Sequence, residues 1–190
     1  MIAHVDRRLL LGVARAAIAL LVFLAIVVQV NTSVGQGTFD PTKFFAFFTI
    51  LSNSFGLVLF LVLAARWRSN GSVTTDLLRG ASVVYLTVTF IVVVTLLSGA
   101  ELQVAIPWVD FVVHKLFPVV VLIDWLIDPP LTRLTVRQAL VWLAYPLIWV
   151  VLTVIRGALD GWFPYPFLNF RTAAMAALPW SLRPSSSAAS

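Results

Sequence analysis

Long apolar runs without charge are the feature of this sequence that most limits how it can fold. Phe44–Ala65 and Gly80–Ala100 contain no charged side chain over 22 and 21 residues. A helix of about 20 such residues crosses the hydrocarbon core of a bilayer. The whole chain is 61% hydrophobic and 11% charged, so a soluble globule could not cover its apolar surface with polar groups. The sequence therefore predicts an all-α, polytopic transmembrane helical bundle.

Five segments are long and apolar enough to be predicted as spanning helices. These segments are Leu9–Val30, Phe44–Ala65, Gly80–Ala100, Trp108–Ile127 and Gln138–Ile155. A short sixth C-terminal apolar segment, Thr172–Leu182, is interrupted by Pro179 and is expected to be interfacial or re-entrant. We expect one transmembrane helical bundle domain over residues 1–183, followed by a disordered tail over 184–190.

Basic residues are distributed unequally between the two sides of this predicted bundle. Loops rich in Lys and Arg stay in the cytoplasm, so the side with more of them is predicted to be cytoplasmic. One side has eight: Arg7, Arg8, Arg15, Arg66, Arg68, Arg79, Arg133 and Arg137. The other side has four: Lys43, Lys115, Arg156 and Arg171. The sequence thus predicts a multi-pass protein of the cell (plasma) membrane with a cytoplasmic N-terminus, which is a retained anchor.

The composition excludes several common kinds of site. The chain has no cysteine and two histidines, so disulfides, thiolate nucleophiles and Cys-ligated metals are excluded and a His-based metal cluster is not expected. No glycine-rich phosphate loop is present, and we expect no cofactor. The net charge of +5 comes from arginines that flank apolar runs, so it indicates membrane orientation and not nucleic-acid binding. Membrane lipids are the expected partners.

The second apolar segment contains an unusual polar stripe within the sequence FFTILSN (47–53). Its members Thr49, Ser52, Asn53 and Gly56 follow the spacing i, i+3, i+4 and i+7, so they share one helix face. Small and polar residues on a membrane helix commonly form a packing seam. The residues alone leave packing and chemistry open for this stripe.

The fourth segment contains ionisable side chains that are costly in a membrane and usually functional there. Asp110 precedes His114 by four residues, so its carboxylate can reach and orient the imidazole. Asp110 also suits a solvated helix start. Asp124 lies roughly 15 Å further along the helix, too far to orient His114, and we expect it to pair with Arg15.

The predicted topology places two of these polar groups at a similar depth. The second and fourth helices both begin at the outer face and run parallel. Thr49 lies five residues after Phe44 and His114 six after Trp108, which gives depths of roughly 7–8 Å and 9 Å. The hydroxyl and the imidazole would meet only if the two helices are neighbours, which the sequence does not show.

Three motifs in this order resemble a known family: FFTILSN (47–53), HKLFP (114–118) and WFPYPFLNF (162–170). The chain is similar to the bacterial Pr6Pr membrane proteins. These are relatives of the animal androgen-induced FAR-17a-like proteins, which include the androgen-dependent TFPI-regulating protein. The similarity covers most of the chain, from residue 10 to residue 170.

The resemblance implies a multi-pass hydrolase of fatty acid esters of hydroxy fatty acids. Such enzymes use an intramembrane threonine nucleophile and a histidine. The motifs place these groups at Thr49 and His114, and they place a Tyr-Pro-Phe motif in an outer loop. The site is thus expected to contain Thr49 and His114 as catalytic groups. Its expected substrate-binding residues are Ser52, Asn53, Asp110, Tyr165, Pro166 and Phe167.

A chemical hypothesis follows from these residues. Thr49 attacks the carbonyl of an acyl-chain ester while neutral His114 removes its proton, and Ser52 or Asn53 donates a hydrogen bond to the oxyanion. Two other functions stay open. One is a non-enzymatic bundle that binds lipid or a partner protein. The other is a proton-coupled carrier using His114, Asp124 and Arg15, against which we find no inverted repeat.

Overall fold

The computed structural model describes residues 6–69, 71–97 and 106–169, and all regular secondary structure in these ranges is helical. The chain divides into two compact units, Met1–Pro146 and Leu147–Ser190. The predicted sixth segment Thr172–Leu182 and the predicted tail 184–190 lie outside the described residues.

The first helix, α1 (Arg7–Gly35), is longer at both ends than the predicted span. Asp6 caps it, because its carboxylate accepts a hydrogen bond from the N–H of Arg8 at 2.9 Å. Small residues allow close packing of this helix: a Cβ added at Gly12 would come within 2.9 Å of the Cβ of Trp67. Trp67 and the backbone at Ala64 therefore lie against the start of α1.

The predicted second helix begins four residues later than expected. Asp40 and Pro41 start a separate short helix, α2 (Pro41–Phe44), in which the Asp40 carboxylate accepts from the N–H of Thr42 at 2.8 Å. A turn follows, and α3 (Phe48–Ala65) then forms the span. The continuous helix that hydropathy alone predicts from Phe44 is thus interrupted by the turn over 45–47.

The third predicted span is α4 (Val73–Leu96), which begins seven residues earlier than predicted. Ser72 caps it by accepting from the N–H of Thr75 at 3.1 Å, and Asp76 lies in its first turn, where a negative charge is favourable. Hydropathy missed this turn because its residues are polar. Residues 98–100 of the predicted span lie outside the described ranges.

The fourth predicted span is helical but not uniform. It consists of α5 (Pro107–Phe111), a π-helical segment Val112–Leu116 that we term the π turn, and α6 (Phe117–Ile127). The fifth begins at α7 (Val136–Leu140), which Thr135 and Gln138 start with a capping box. It continues through a 3₁₀ turn, Val141–Leu143, into α8 (Ala144–Asp160).

Four helices in the described ranges are long and apolar enough to cross a membrane. They are Arg7–Gly35, Phe48–Ala65, Val73–Leu96 and Val136–Asp160. The predicted count of five spans is therefore not confirmed. The segment that differs is the helical run containing the π turn, which is interrupted and carries several ionisable side chains.

The first unit packs α1, α3 and α4 around the helical run that contains the π turn. Its core consists of Ala19, Val22, Ala25, Phe60, Leu86, Val109, Val112, Val113, Phe117 and Val121. Large apolar side chains also cover the outside, such as Leu20 and Leu24 on α1 and Val58 on α3, which are all more than half exposed. An apolar exterior on this scale is unusual for a soluble monomer and is compatible with a membrane location.

Candidate functional site

His114 lies in the π turn, and Pro118 explains why the helix widens there. Proline has no N–H, and its ring would clash with the carbonyl four residues earlier, which is that of His114. The N–H of Phe117 donates to the carbonyl of Val112, five residues back, and not to the usual carbonyl four residues back. The motif HKLFP thus produces a π turn, a feature that is frequent at functional sites.

Asn53 joins α3 to this π turn. Phe117 donates to Val112, and Pro118 cannot donate, so the carbonyl of Val113 is left without a helical donor. The side-chain nitrogen of Asn53 supplies one at 3.0 Å, and it also donates to the carbonyl of Thr49 at 2.8 Å. This fully buried amide shows that α3 and the π turn are neighbours, the fact that the sequence could not give.

The contacts between α3 and the fourth helical run also show their relative direction. One turn beyond Asn53, a Cβ at Gly56 would approach the ring of Phe117 to 2.9 Å. The rings of Phe60 and Phe117 pack edge to face with centroids 5.4 Å apart. Residue numbers therefore increase in the same direction along both helices, which run parallel as the sequence predicts.

Thr49 is the second residue of α3 and is only 5% exposed. The depth counted from Phe44 is therefore wrong, because α3 begins at Phe48. The hydrogen bond between Asn53 and Val113 instead shows which residues of the two helices lie at the same level. Thr49 lies one helical turn before Asn53, and Asp110 lies about one turn before Val113, so the two occupy corresponding positions on the paired helices.

The imidazole of His114 is buried and is held by Asp110. The distance from His114 Nδ1 to Asp110 Oδ1 is 2.7 Å, as the four-residue spacing predicts. An ionised carboxylate only accepts hydrogen bonds, so Nδ1 carries a proton, and in the neutral imidazole Nε2 then keeps its lone pair. The Asp110 side chain is 22% exposed, so it is in partial contact with its surroundings, as expected for a residue at a helix start.

Helical side chains lean toward the helix N-terminus, so the ring of His114 lies over the turn of Asp110. The turn of Asp110 lies at the same level along the paired helices as the turn of Thr49 on α3. The two predicted catalytic residues therefore lie on adjacent turns of neighbouring helices, and both are buried.

The oxyanion donors suggested by the sequence are not equivalent. Both N–H bonds of the Asn53 amide are engaged by backbone carbonyls. These two bonds do not favour Asn53 as the oxyanion donor, and that role stays a prediction. The hydroxyl of Ser52 is fully buried and has no hydrogen-bond partner among the described residues. A buried unsatisfied hydroxyl is uncommon and is often functional.

The Tyr-Pro-Phe motif belongs to the second unit, where Pro166–Leu168 forms a 3₁₀ turn. The ring of Tyr165 stacks on Phe167 with centroids 5.3 Å apart and meets Trp149 edge to face at 5.9 Å. Tyr165 is buried in this aromatic cluster, whereas Pro166 and Phe167 are exposed. Their role in substrate binding stays a prediction.

Asp124 takes the separate role that its position predicts. Its carboxylate pairs with Arg15, with Nε to Oδ1 at 2.7 Å, so that prediction is confirmed. The sequence did not predict the other two members of this ion-pair network. Arg79 of α4 also reaches Asp124 at 3.3 Å, and Asp128 lies 2.5 Å from Arg15. We call Arg15, Arg79, Asp124 and Asp128 the ion-pair cluster; it links α1, α4 and α6.

No protein-family model, no curated protein and no solved structure matches this chain. The resemblance to the Pr6Pr proteins therefore stays a prediction based on the three motifs.

Proposed function

We propose that the protein is a multi-pass hydrolase of fatty-acyl esters, related to the Pr6Pr proteins, with Thr49 as nucleophile and His114 as base. The observation that supports this most directly is the Asn53 amide, which bonds the carbonyls of Thr49 and Val113 and so joins the turns that carry both residues. The Asp110–His114 hydrogen bond is the second support.

In the proposed first step, Nε2 of His114 removes the proton of the Thr49 hydroxyl as Oγ1 attacks the ester carbonyl. A threonine hydroxyl needs such a base, because it is a weak nucleophile when protonated. Asp110 holds Nδ1–H and stabilises the imidazolium that forms. The Ser52 hydroxyl donates to the oxyanion of the tetrahedral intermediate.

The intermediate then collapses, the bond to the alkoxide breaks, and His114 returns the proton to the leaving alcohol. The acyl group stays on Thr49 Oγ1 as an ester. Water attacks this ester with His114 again as base, which releases the fatty acid and restores the Thr49 hydroxyl.

The proposed topology has a cytoplasmic N-terminus and counts the helical run 107–127 as a fifth span. The start of α3 then faces the outer leaflet, just beneath the headgroups. A site there suits an ester that lies between long acyl chains.

A fluorophosphonate probe on the purified protein tests the nucleophile. We expect the wild-type protein and Thr49→Ser to be labelled, because both keep a hydroxyl, and Thr49→Ala to be unlabelled. His114→Gln should reduce both labelling and the release of fatty acid from a reconstituted ester by roughly 10²–10⁴-fold, because the base is lost. Labelling that survives in Thr49→Ala would remove the nucleophile assignment.

A non-enzymatic lipid- or partner-binding bundle is the second candidate. The burial of Ser52 and Asn53, and the use of both Asn53 N–H bonds in helix packing, favour it. In that case the wild-type protein releases no fatty acid from any ester offered. Thr49→Ala and His114→Gln would then lower only the unfolding temperature.

A further inference from the structure

Exposed arginines gather at one end of the first unit, where three segments meet. The guanidinium of Arg7 donates to the carbonyl of Ile127, which joins the start of α1 to the end of α6. Trp67, in the loop after α3, packs on Gly12 of α1. The six exposed arginines of this end, which we call the arginine end, are Arg7, Arg8, Arg66, Arg68, Arg133 and Arg137.

The segment before α7 belongs to the same end. Leu131 lies against Gly71, where an added Cβ would come within 3.0 Å of its side chain. The N–H and hydroxyl of Thr132 donate to the Asp76 carboxylate at 2.9 and 2.8 Å. Arg133 and Arg137 are therefore held near the loop that carries Arg66 and Arg68.

The carboxylates near this end, among the described residues, have partners other than the side chains of these six arginines. Asp76 accepts from Thr132, Asp128 pairs with Arg15, and Asp6 caps α1 through a backbone N–H. In the described part of the chain, no carboxylate forms an ion pair with any arginine of the arginine end. Six exposed arginines therefore share this surface with one exposed carboxylate, that of Asp6, so the surface keeps an excess of positive charge.

The surroundings of the arginine end identify the chemistry of its partner. Exposed apolar side chains continue up to it, such as Leu10 on α1, Leu131, and Val136 at the start of α7. Trp67 lies beside Arg68, whose guanidinium carbon is 4.4 Å from the ring centroid, and tryptophan favours the bilayer interface. A soluble acidic protein or a nucleic acid would leave the apolar side chains in water, whereas a membrane surface covers both.

We propose that the arginine end binds the phosphate groups of anionic phospholipids in the adjacent leaflet, in preference to zwitterionic lipids. Several arginines at headgroup level attract anionic lipid through short-range electrostatics, with a contribution from each residue. The inference is independent of the proposed hydrolase, because it uses none of the residues of that site.

The test uses the full-length protein in nanodiscs with equal amounts of phosphatidylglycerol and phosphatidylcholine. After mild extraction, mass spectrometry gives the ratio of the two lipids that stay bound. We expect the wild-type protein to retain phosphatidylglycerol preferentially. In the variant Arg66→Gln/Arg68→Gln/Arg133→Gln this preference should fall at least about fivefold at low salt, because the arginines that attract anionic lipid are lost.

Two control variants make the outcome specific. The corresponding triple Arg→Lys variant keeps the charge and should keep the preference. Lys43→Gln removes one charge in α2, which precedes the opposite end of α3, and should leave the ratio unchanged. Equal binding of both lipids by the wild type, or full preference in the triple Gln variant, would overturn the proposal, and an equal loss in Lys43→Gln would also do so. Unchanged fluorophosphonate labelling of the triple Gln variant would show that the two proposals stand separately.

Discussion

At the scale of single residues, Asn53 is the contact that the rest of the site depends on. Its amide satisfies the Val113 carbonyl that the sequence around Pro118 leaves without a donor. Asn53→Ala leaves this buried carbonyl unsatisfied, so we expect a loss of about 1–3 kcal/mol in the free energy of unfolding. Unfolding in mild detergent, monitored by circular dichroism, measures it. An unchanged unfolding midpoint would contradict the role assigned to Asn53.

Ser52 is the matched control for Asn53, because its buried hydroxyl has no hydrogen-bond partner to lose in the part of the chain that the structure describes. We expect Ser52→Ala to unfold within about 0.5 kcal/mol of the wild type. If Ser52 donates to the oxyanion, the same variant should lower ester turnover by roughly 10²–10³-fold. Wild-type turnover in Ser52→Ala would remove this donor from the mechanism, while the assignment of Thr49 would be unaffected.

At the scale of helices, the sequence predicts where a helix occurs more accurately than it predicts where that helix begins and ends. Apolar runs locate α1, α3, α4 and α8 because a helix in a bilayer must be apolar along its length. The start of α4 depends on the cap at Ser72, and the separate short helix α2 before α3 depends on the cap at Asp40; hydropathy registers neither cap. The contact of α3 with the π turn could not be predicted, because periodicity shows which face is packed and not against which helix.

The π turn is a case in which the signal was present in the sequence. Pro118, four residues after His114, marks the position where an α-helix is interrupted. Pro118→Ala restores the missing N–H, so we expect an ordinary α-helical turn there and a rotation of His114 away from α3. The variant should stay folded and lose fluorophosphonate labelling at least about tenfold, since misplacement of the base weakens proton transfer. Labelling equal to the wild type would show that the π turn does not position His114.

The ion-pair cluster connects three helices, so its loss is a prediction at the same scale. Asp124→Asn leaves the guanidinium groups of Arg15 and Arg79 with less counter-charge in a buried place. We expect a loss of about 3–5 kcal/mol in the free energy of unfolding. Asp160→Asn, which breaks an exposed pair with Arg156, should change it by less than about 1 kcal/mol. If both variants lose the same free energy of unfolding, burial does not strengthen the ion-pair cluster.

At the scale of the whole molecule, the two ends of the first unit differ in charge and in proposed task. The start of α3 carries Thr49, whereas the end of α3 leads into the arginine end. Because α3 is 18 residues long, these ends are roughly 27 Å apart, close to the thickness of a bilayer core. A hydrolytic site in one leaflet and anionic-lipid contacts in the other leaflet are therefore compatible within one bundle.

The topology itself is testable because the chain has no cysteine, so each introduced thiol is unique. Thr38→Cys lies in the exposed segment before α2, and Ser69→Cys lies in the loop at the arginine end. With a cytoplasmic N-terminus, a membrane-impermeant maleimide should label Thr38→Cys in intact cells. It should label Ser69→Cys only after permeabilisation, because α3 separates the two positions. The reverse pattern would place Thr49 toward the cytoplasmic leaflet, and the ester substrate would then have to come from that leaflet. Labelling of both positions in intact cells would show that α3 does not cross the membrane, which would contradict the proposed bundle.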